Sequence, residues 1–172
     1  MFLSSFFNMI DLTKKFAKLY DDHVDKIYRF IYLKVESQQA AEDLTSQVFT
    51  KGWARFRVGE DIKNPSAYLY QIARTEISNH YRYKSKYQTV SLEKIELAEG
   101  NIGLEDKHKQ DSDIEQVKKV LKKLDEDEQN VLIMRYLDEQ PIATIALALE
   151  KSEGAVRVML HRALKEVKEA IK

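Results

Sequence analysis

Polar side chains at helical spacing in the middle of the chain could bind nucleic acid together. The positions i, i+4, i+7 and i+11 hold Gln71, Thr75, Ser78 and Arg82. On a helix these positions share one face, while the residues that would pack inward are Leu69, Ile72, Ala73 and Ile77. Amide, hydroxyl and guanidinium groups contact bases and phosphates, so this polar stripe can face DNA. A solvated helix face gives the same pattern, and spacing alone leaves both interpretations open.

The end of the chain has the proportions of a helix-turn-helix. The segment PIATIALALEKSEGAVRVMLHRALKEV begins at Pro141 and predicts a short helix, a tight turn capped by Ser152 and a longer helix. The buried stripe of the longer helix would be Val156, Leu160, Ala163 and Val167. At 100° per residue, the opposite face comprises Gly154, Val158, His161, Arg162 and Lys165, flanked by Arg157. An ordinary amphipathic helix of a small bundle would share this pattern.

The first residues of that longer helix could also contact DNA. Ser152, Glu153 and Gly154 would stand at its N-terminus, where backbone N–H groups can contact a phosphate and short side chains can reach base edges. The opposite face of the helix would then enter the major groove.

Enzymatic chemistry is disfavoured by the sequence. It has no Gly-rich phosphate loop, no metal-ligand spacing and no nucleophile with a partnered base. The absence of cysteine suits a reducing compartment, and the four histidines are scattered. We therefore expect a cytoplasmic protein that is not an enzyme and that has no cofactor, metal or small-molecule substrate.

Composition favours an all-α fold. The 172 residues include 44% apolar residues but only two prolines and five glycines, so helix formers outnumber helix breakers. Apolar spacing predicts a first helix from Phe16 to about Glu36, a second capped by Ser37, and a third that begins at Asn64 and Pro65 and fades near Lys86. The apolar opening MFLSSFFNMI is expected to be a frayed lead-in, with a weak membrane or partner anchor as the alternative.

A change of composition divides the chain into two domains. Residues 87–111 are rich in acids and poor in apolar residues, which predicts a flexible linker between domains at 10–86 and 112–172. Capping-box spacing at Ser112 and Glu115, and again at Asp125 and Glu128, predicts helix starts in the second domain.

Three segments resemble one family, the extracytoplasmic-function sigma factors of the sigma-70 family. SEGAVRVMLHRALKEV is similar to their recognition helix, AAEDLTSQVFTKGWARF to their region two, and NPSAYLYQIARTEISNHYRYKSK to the segment that recognises and melts the minus-ten promoter element. The resemblance covers roughly Phe16–Lys86 and Ile114–Ile171. It implies a three-helix region 2, a helix-turn-helix region 4, and promoter-specific initiation with core RNA polymerase as partner.

The resemblance also implies roles for individual residues. Asp43 and Gln47 would contact the clamp helices of the large polymerase subunit, while Phe49 and Trp53 look structural. The minus-ten element would be contacted by Tyr70, Gln71, Arg74, Thr75, Ser78, Asn79 and Arg82. The minus-thirty-five element would be read by Ser152, Glu153, Gly154, Arg157, Val158, His161, Arg162 and Lys165. The family further implies an anti-sigma factor as a partner.

The sequence departs from the family pattern at positions that bear on the promoter sequence recognised and on the turn of the helix-turn-helix. The family commonly has Asn where Thr75 stands, Asp where Asn79 stands, and Gly where Glu150 stands, so we expect a less tight turn at Glu150. The alternatives are a stand-alone helix-turn-helix regulator and a helical interaction adaptor. Against the regulator, the formal net charge is zero, and unaided DNA binding draws its affinity from phosphate neutralisation.

Overall fold

The computed structural model describes the backbone of residues 2–92 and 110–171 and the side chains of residues 6–87 and 112–171. The helices are α1 (Phe2–Tyr32), α2 (Gln38–Arg57), α3 (Pro65–Leu92), α4 (Gln110–Leu121), α5 (Glu126–Leu132), α6 (Ile142–Leu149) and α7 (Glu153–Ile171). A short π-helical segment, Ile133–Leu137, follows α5 directly. Over these ranges no strand is present, which confirms the expected all-α fold.

Domain one, residues 2–92, is a three-helix bundle whose helix starts follow the expected caps. The Ser37 hydroxyl accepts the Ala40 N–H at 3.1 Å, and the Asn64 side-chain oxygen accepts the Ala67 N–H at 2.9 Å. These bonds satisfy N–H groups that have no partner within a first helical turn. The fully buried centre of the bundle contains Ile27, Phe30, Ile31, Val48, Tyr70 and Ala73.

An aromatic cluster ties α1 to α2. The Phe16 ring lies 5.2 Å from Trp53 and 6.5 Å from Phe49, and Tyr20 also contacts Phe49, with ring centroids 4.7 Å apart. Phe49 is buried and Trp53 is half-buried, so both pack within domain one.

Domain two, residues 110–171, is built from α4 to α7. The predicted capping box is present at α5, where the Asp125 carboxylate accepts the Glu128 N–H at 2.8 Å and the Glu128 side chain accepts the Asp125 N–H at 3.2 Å. Small Ala146 of α6 is buried beneath α7. The buried residues of α7 are Val156, Leu160 and Ala163, as its spacing predicts, whereas the fourth predicted member of the stripe, Val167, is only half-buried.

Helix ends differ from expectation at three places. The expected frayed lead-in is wrong, because α1 begins at Phe2 and its opening segment has no helix breaker. Helix α3 continues to Leu92 rather than fading near Lys86, and α4 begins at Gln110, which leaves Ser112 inside the helix instead of at its cap. Residues 93–109 of the predicted linker lie outside the described residues.

The two domains pack against each other, which the sequence did not indicate. Helix α3 of domain one lies along α6 of domain two, and the buried apolar residues of both domains form one cluster. Each domain therefore presents part of its surface to the other rather than to solvent. Across the described residues, no helix has the length and apolar character that a membrane span requires.

Candidate nucleic-acid interface

The outer face of α7 is open to solvent. All eight residues that sequence reasoning assigns to this face are exposed: Ser152, Glu153, Gly154, Arg157, Val158, His161, Arg162 and Lys165. The Ser152 hydroxyl accepts the Ala155 N–H at 3.1 Å and so caps the helix. Arg157 pairs with Glu153 at 3.0 Å, but exposed pairs of this kind contribute little stability and break easily. The face is therefore available to a groove of DNA.

The turn between α6 and α7 is tight, contrary to the expectation at Glu150. This residue adopts the left-handed conformation, with φ 54° and ψ 42°. The Lys151 N–H donates to the Ala146 carbonyl at 2.9 Å, and the Glu150 N–H reaches the Leu147 carbonyl at 3.3 Å. Such bonds complete a Schellman ending, which glycine normally provides because it has no Cβ. The geometry of the helix-turn-helix is thus kept without the glycine.

The polar stripe on α3 is only partly open. Thr75, Ser78 and Arg82 are exposed, and Asn79 is half-buried. The Arg82 guanidinium donates to the Asn79 side-chain oxygen at 3.0 Å, and the Thr75 hydroxyl donates to the Gln71 carbonyl at 3.0 Å. This half of the stripe faces solvent on a rigid helix.

Gln71 of the stripe contacts domain two, as do the neighbouring Tyr70 and Arg74. Gln71 donates its side-chain amide to the Leu147 carbonyl at 2.8 Å, and Arg74 donates to the Ala148 carbonyl at 2.9 Å. These carbonyls belong to the last turn of α6, and the Leu147 carbonyl also accepts the Glu150 N–H of the turn. Tyr70 is fully buried. In this arrangement Tyr70, Gln71 and Arg74 are occupied by protein partners, and a role in contacting DNA stays a prediction.

A groove of about 1080 Å³ runs beside the exposed half of the stripe. Lys51 and Arg55 of α2 line it opposite Thr75 and Asn79. Lys51 is held by Glu76 at 2.5 Å, and Arg55 pairs with Glu60. Sequence reasoning did not select these two cations, although their i, i+4 spacing places both on one face of α2.

The exposed face of α2 carries the two residues assigned to polymerase docking. Asp43 and Gln47 both lie on the solvent side. The Asp43 carboxylate accepts the side-chain amide of Gln39 at 3.1 Å. One helical turn separates the two residues, so a single partner surface could contact both.

A buried carboxylate lies between the domains, and no sequence pattern pointed to it. Asp138, with a fully buried side chain, accepts Arg29 Nε at 2.8 Å and the Tyr70 hydroxyl at 2.8 Å. Burial raises the pKa of Asp138, although the hydrogen bonds from Tyr70 and Arg29 oppose the rise. Burial also raises the pKa of Tyr70, and the Asp138 charge adds to that shift. Both shifts fit a hydrogen-bonded polar contact inside an apolar interface.

Within the described ranges, no group of three histidine, cysteine, aspartate or glutamate side chains is arranged to hold a metal ion. The fold is that of an all-α protein with a helix-turn-helix in its second domain, the class of motif that DNA-binding proteins use.

Comparison with known proteins identifies the family. Residues 19–87 match the profile of sigma-70 region 2, and residues 114–167 match that of sigma-70 region 4. The chain is 30% identical to the RNA polymerase sigma factor YlaC of Bacillus subtilis, over 87% of this chain and 88% of that protein. It is 27% identical to the ECF RNA polymerase sigma factor BldN of Streptomyces coelicolor, over 87% of this chain and 58% of BldN.

A solved structure shares the fold across both domains. The sigma factor RpoE of Bartonella quintana, solved with the anti-sigma factor NepR, aligns with a TM-score of 0.69 at 21% identity, over 92% of this chain and 97% of that one. The chain belongs to the extracytoplasmic-function sigma factors of the sigma-70 family. The stand-alone regulator is not favoured, because such a regulator has no need of region 2.

Proposed function

We propose that the chain directs promoter-specific initiation by bringing core RNA polymerase to promoter DNA, with separate surfaces for each partner. The exposed recognition face of α7 is the observation that carries this proposal, because all eight residues assigned to it are exposed on this helix and its cap, Ser152. This face reads the minus-thirty-five element as duplex DNA in the major groove. Ser152, Glu153 and Gly154 contact phosphate or base edges at its N-terminus.

Region 2 provides the other two contacts. Asp43 and Gln47 dock on core polymerase, and the α3 stripe holds the melted minus-ten strand through the seven residues assigned to it. Thr75, Ser78 and Arg82 are exposed for this contact. Unstacking a base costs a few kcal/mol, which hydrogen bonds and stacking on the protein must offset. Lys51 and Arg55 extend the stripe with phosphate contacts across the adjacent groove.

The working partners follow from this role. A factor that acts on the polymerase and the chromosome works in the cytoplasm, without a cofactor or a small-molecule substrate. RpoE and CnrH were each solved in complex with another protein, the anti-sigma factor NepR and the cytosolic domain of CnrY. An anti-sigma factor is accordingly the regulatory partner that we propose for this chain.

Run-off transcription tests the proposed function. Bacterial core polymerase is incubated with fragmented genomic DNA, with and without the purified chain, and transcript 5′ ends are mapped. New start sites that share upstream sequence at two positions are expected only when the chain is added. If the chain neither associates with core polymerase nor produces such starts, the proposal is overturned.

The assignment of the docking surface has its own test. Asp43→Ala should lower the affinity for core polymerase by about tenfold, because a charged hydrogen bond at an interface contributes about 1.5–3 kcal/mol. Transcription should then fall equally at every promoter. The matched control is Glu42→Ala, which removes the neighbouring exposed acid of α2. Losses confined to some promoters would assign Asp43 to DNA recognition instead.

A further inference from the structure

Polar contacts between the two domains centre on Asp138. Its backbone N–H donates to the Ile133 carbonyl at 3.0 Å, which closes the π-helical turn and fixes the residue within domain two. Both partners of its carboxylate, Arg29 of α1 and Tyr70 of α3, belong to domain one. A buried carboxylate is stable only when its oxygens accept hydrogen bonds. Because both donors come from the other domain, this carboxylate depends on the interface.

Further side chains are matched across the same interface. The Asn64 amide donates to the Thr144 hydroxyl at 3.2 Å, and the Ser66 hydroxyl donates to the Gln140 side-chain oxygen at 2.9 Å. Lys34 donates to the Asn130 side-chain oxygen at 2.5 Å. These pairs join residues far apart in sequence, and they select one relative placement of the domains rather than general apolar association.

The same interface also buries polar groups unfavourably, and this opposes permanent closure of the two domains. Lys34 is nearly buried, with 5% of its side chain exposed, and burial disfavours its charged form. Among the described side chains, Arg74 Nε and Asn130 Nδ2 are buried without a hydrogen-bond partner. A buried polar group without a hydrogen-bond partner is less stable than the same group in water. Opening the domains would return these groups to water.

We propose that the interface is a latch that closes the free chain by itself, with Asp138 as its anchor. The inference rests on the proposed minus-ten role of Gln71 and Arg74, because the closed arrangement assigns these two side chains to the last carbonyls of α6. Closed chains cannot present the whole α3 stripe to a strand of DNA. The apparent affinity for the melted element is then the affinity of the open form reduced by the open fraction.

Distance measurement on the full chain tests the latch. The sequence has no cysteine, so Ser46→Cys on α2 and Glu166→Cys on α7 give two unique sites for spin labels, both exposed. Double electron–electron resonance should show one narrow distance for the otherwise unmodified chain. A broad distribution in that chain, without any partner, would overturn the proposal.

Two variants release the latch from opposite sides. Asp138→Asn keeps the side-chain shape and removes the charge, whereas Arg29→Ala removes the partner from domain one, where 43% of the side chain is exposed. Each should raise the long-distance population by about tenfold, as expected from loss of one charge-assisted hydrogen bond. The matched control is Lys18→Ala, which breaks an exposed ion pair within α1 and should leave the distances unchanged.

The outcomes separate the latch from the proposed function. If the Asp138→Asn chain loses its helical circular dichroism signal, it has failed to fold. The distances in the Arg29→Ala chain then test the latch, since Arg29 lies at the edge of the interface. Unchanged distances in a folded Arg29→Ala chain overturn the latch even where transcription succeeds. The opposite combination is also informative. If the variants open the domains but the chain never supports transcription with core polymerase, the domain contact is supported and the sigma-factor role is overturned.

Discussion

Glu150 holds a backbone conformation that side chains with a Cβ seldom adopt. Its φ of 54° lies in the left-handed region, yet the bonds from Lys151 and Glu150 to the end of α6 complete the turn. The departure from the family's glycine therefore left the geometry intact and added local strain. From the sequence we expected a looser turn, because the substitution itself does not reveal that hydrogen bonds would retain the shape.

Replacing Glu150 with glycine should relieve this strain. Glu150→Gly is expected to raise the free energy of unfolding by about 1 kcal/mol, since the left-handed conformation costs a residue with a Cβ roughly 1–2 kcal/mol and glycine loses more entropy on folding. Urea unfolding followed by circular dichroism measures the change. The control Glu169→Gly, inside α7, should lower stability by about 1 kcal/mol. A loss of stability at position 150 would contradict the strain argument.

Lys34 should make stability depend on pH in the alkaline range. Burial lowers its pKa to about 8, with Glu126 and Asp127 opposing the shift and Arg74 adding to it. Because the folded pKa lies below the unfolded value, the penalty for burying the charge is fully present below about pH 8 and is relieved as pH rises toward 10.5.

The test compares the chain with Lys34→Met across that range. The free energy of unfolding of the unmodified chain, relative to the variant, should rise by about 2 kcal/mol between pH 7 and pH 10. Taking the difference removes contributions from other groups that titrate in both proteins. A relative stability that stays flat or falls over this range would show that the Lys34 charge is well solvated.

At the scale of helices, caps and periodicity predicted most of what the structure contains. Ser37, Asn64, Asp125 and Ser152 each cap the helix that follows, because their side chains bond to N–H groups only a few residues away. Helix ends without such residues, at Phe2 and Leu92, were missed, and the cap predicted at Ser112 was wrong because α4 begins at Gln110. Local chemistry fixes a capped start, whereas an uncapped end depends on the surrounding structure.

The recognition helix supplies the prediction at this scale. Arg157→Ala should weaken binding to promoters by about 1–3 kcal/mol and relax the preference at one base pair of the upstream element. Competition binding of the polymerase holoenzyme to promoter variants measures this loss. Lys168→Ala, which removes an exposed cation near the end of the same helix, is the control. A uniform loss across all upstream sequences would reassign Arg157 to phosphate contact.

At the scale of the whole molecule, the sequence predicted two domains but not their contact. Asp138 follows an apolar run and precedes Glu139, so it reads as one exposed acid among several. Only the folded chain shows that Arg29 and Tyr70 converge on it. The same contact explains why Gln71 of the predicted α3 stripe and the neighbouring Arg74 are occupied. Long-range polar matching has no periodicity, and a single sequence therefore does not reveal it.

The zero net charge of the chain predicts that it binds DNA weakly on its own, with a modest dependence on salt. With about four phosphate contacts, the logarithm of the binding constant should fall with the logarithm of salt concentration with a slope of about −3.6. Fluorescence anisotropy with labelled duplex, over a series of salt concentrations, gives this slope. Weak binding is expected, and core polymerase should strengthen it. Tight and selective binding by the chain alone would indicate a regulator that needs no polymerase.

The contact between α3 and α6 places the end of α6 where a DNA strand would bind under the proposed role of α3. The carbonyl oxygens of Leu147 and Ala148 stand at the negative end of a helix. To Gln71 and Arg74 they offer the acceptor atoms and the sign of charge that a nucleic-acid strand would offer. If Gln71 and Arg74 contact the minus-ten strand as proposed, that strand must displace the end of α6 to reach these two side chains.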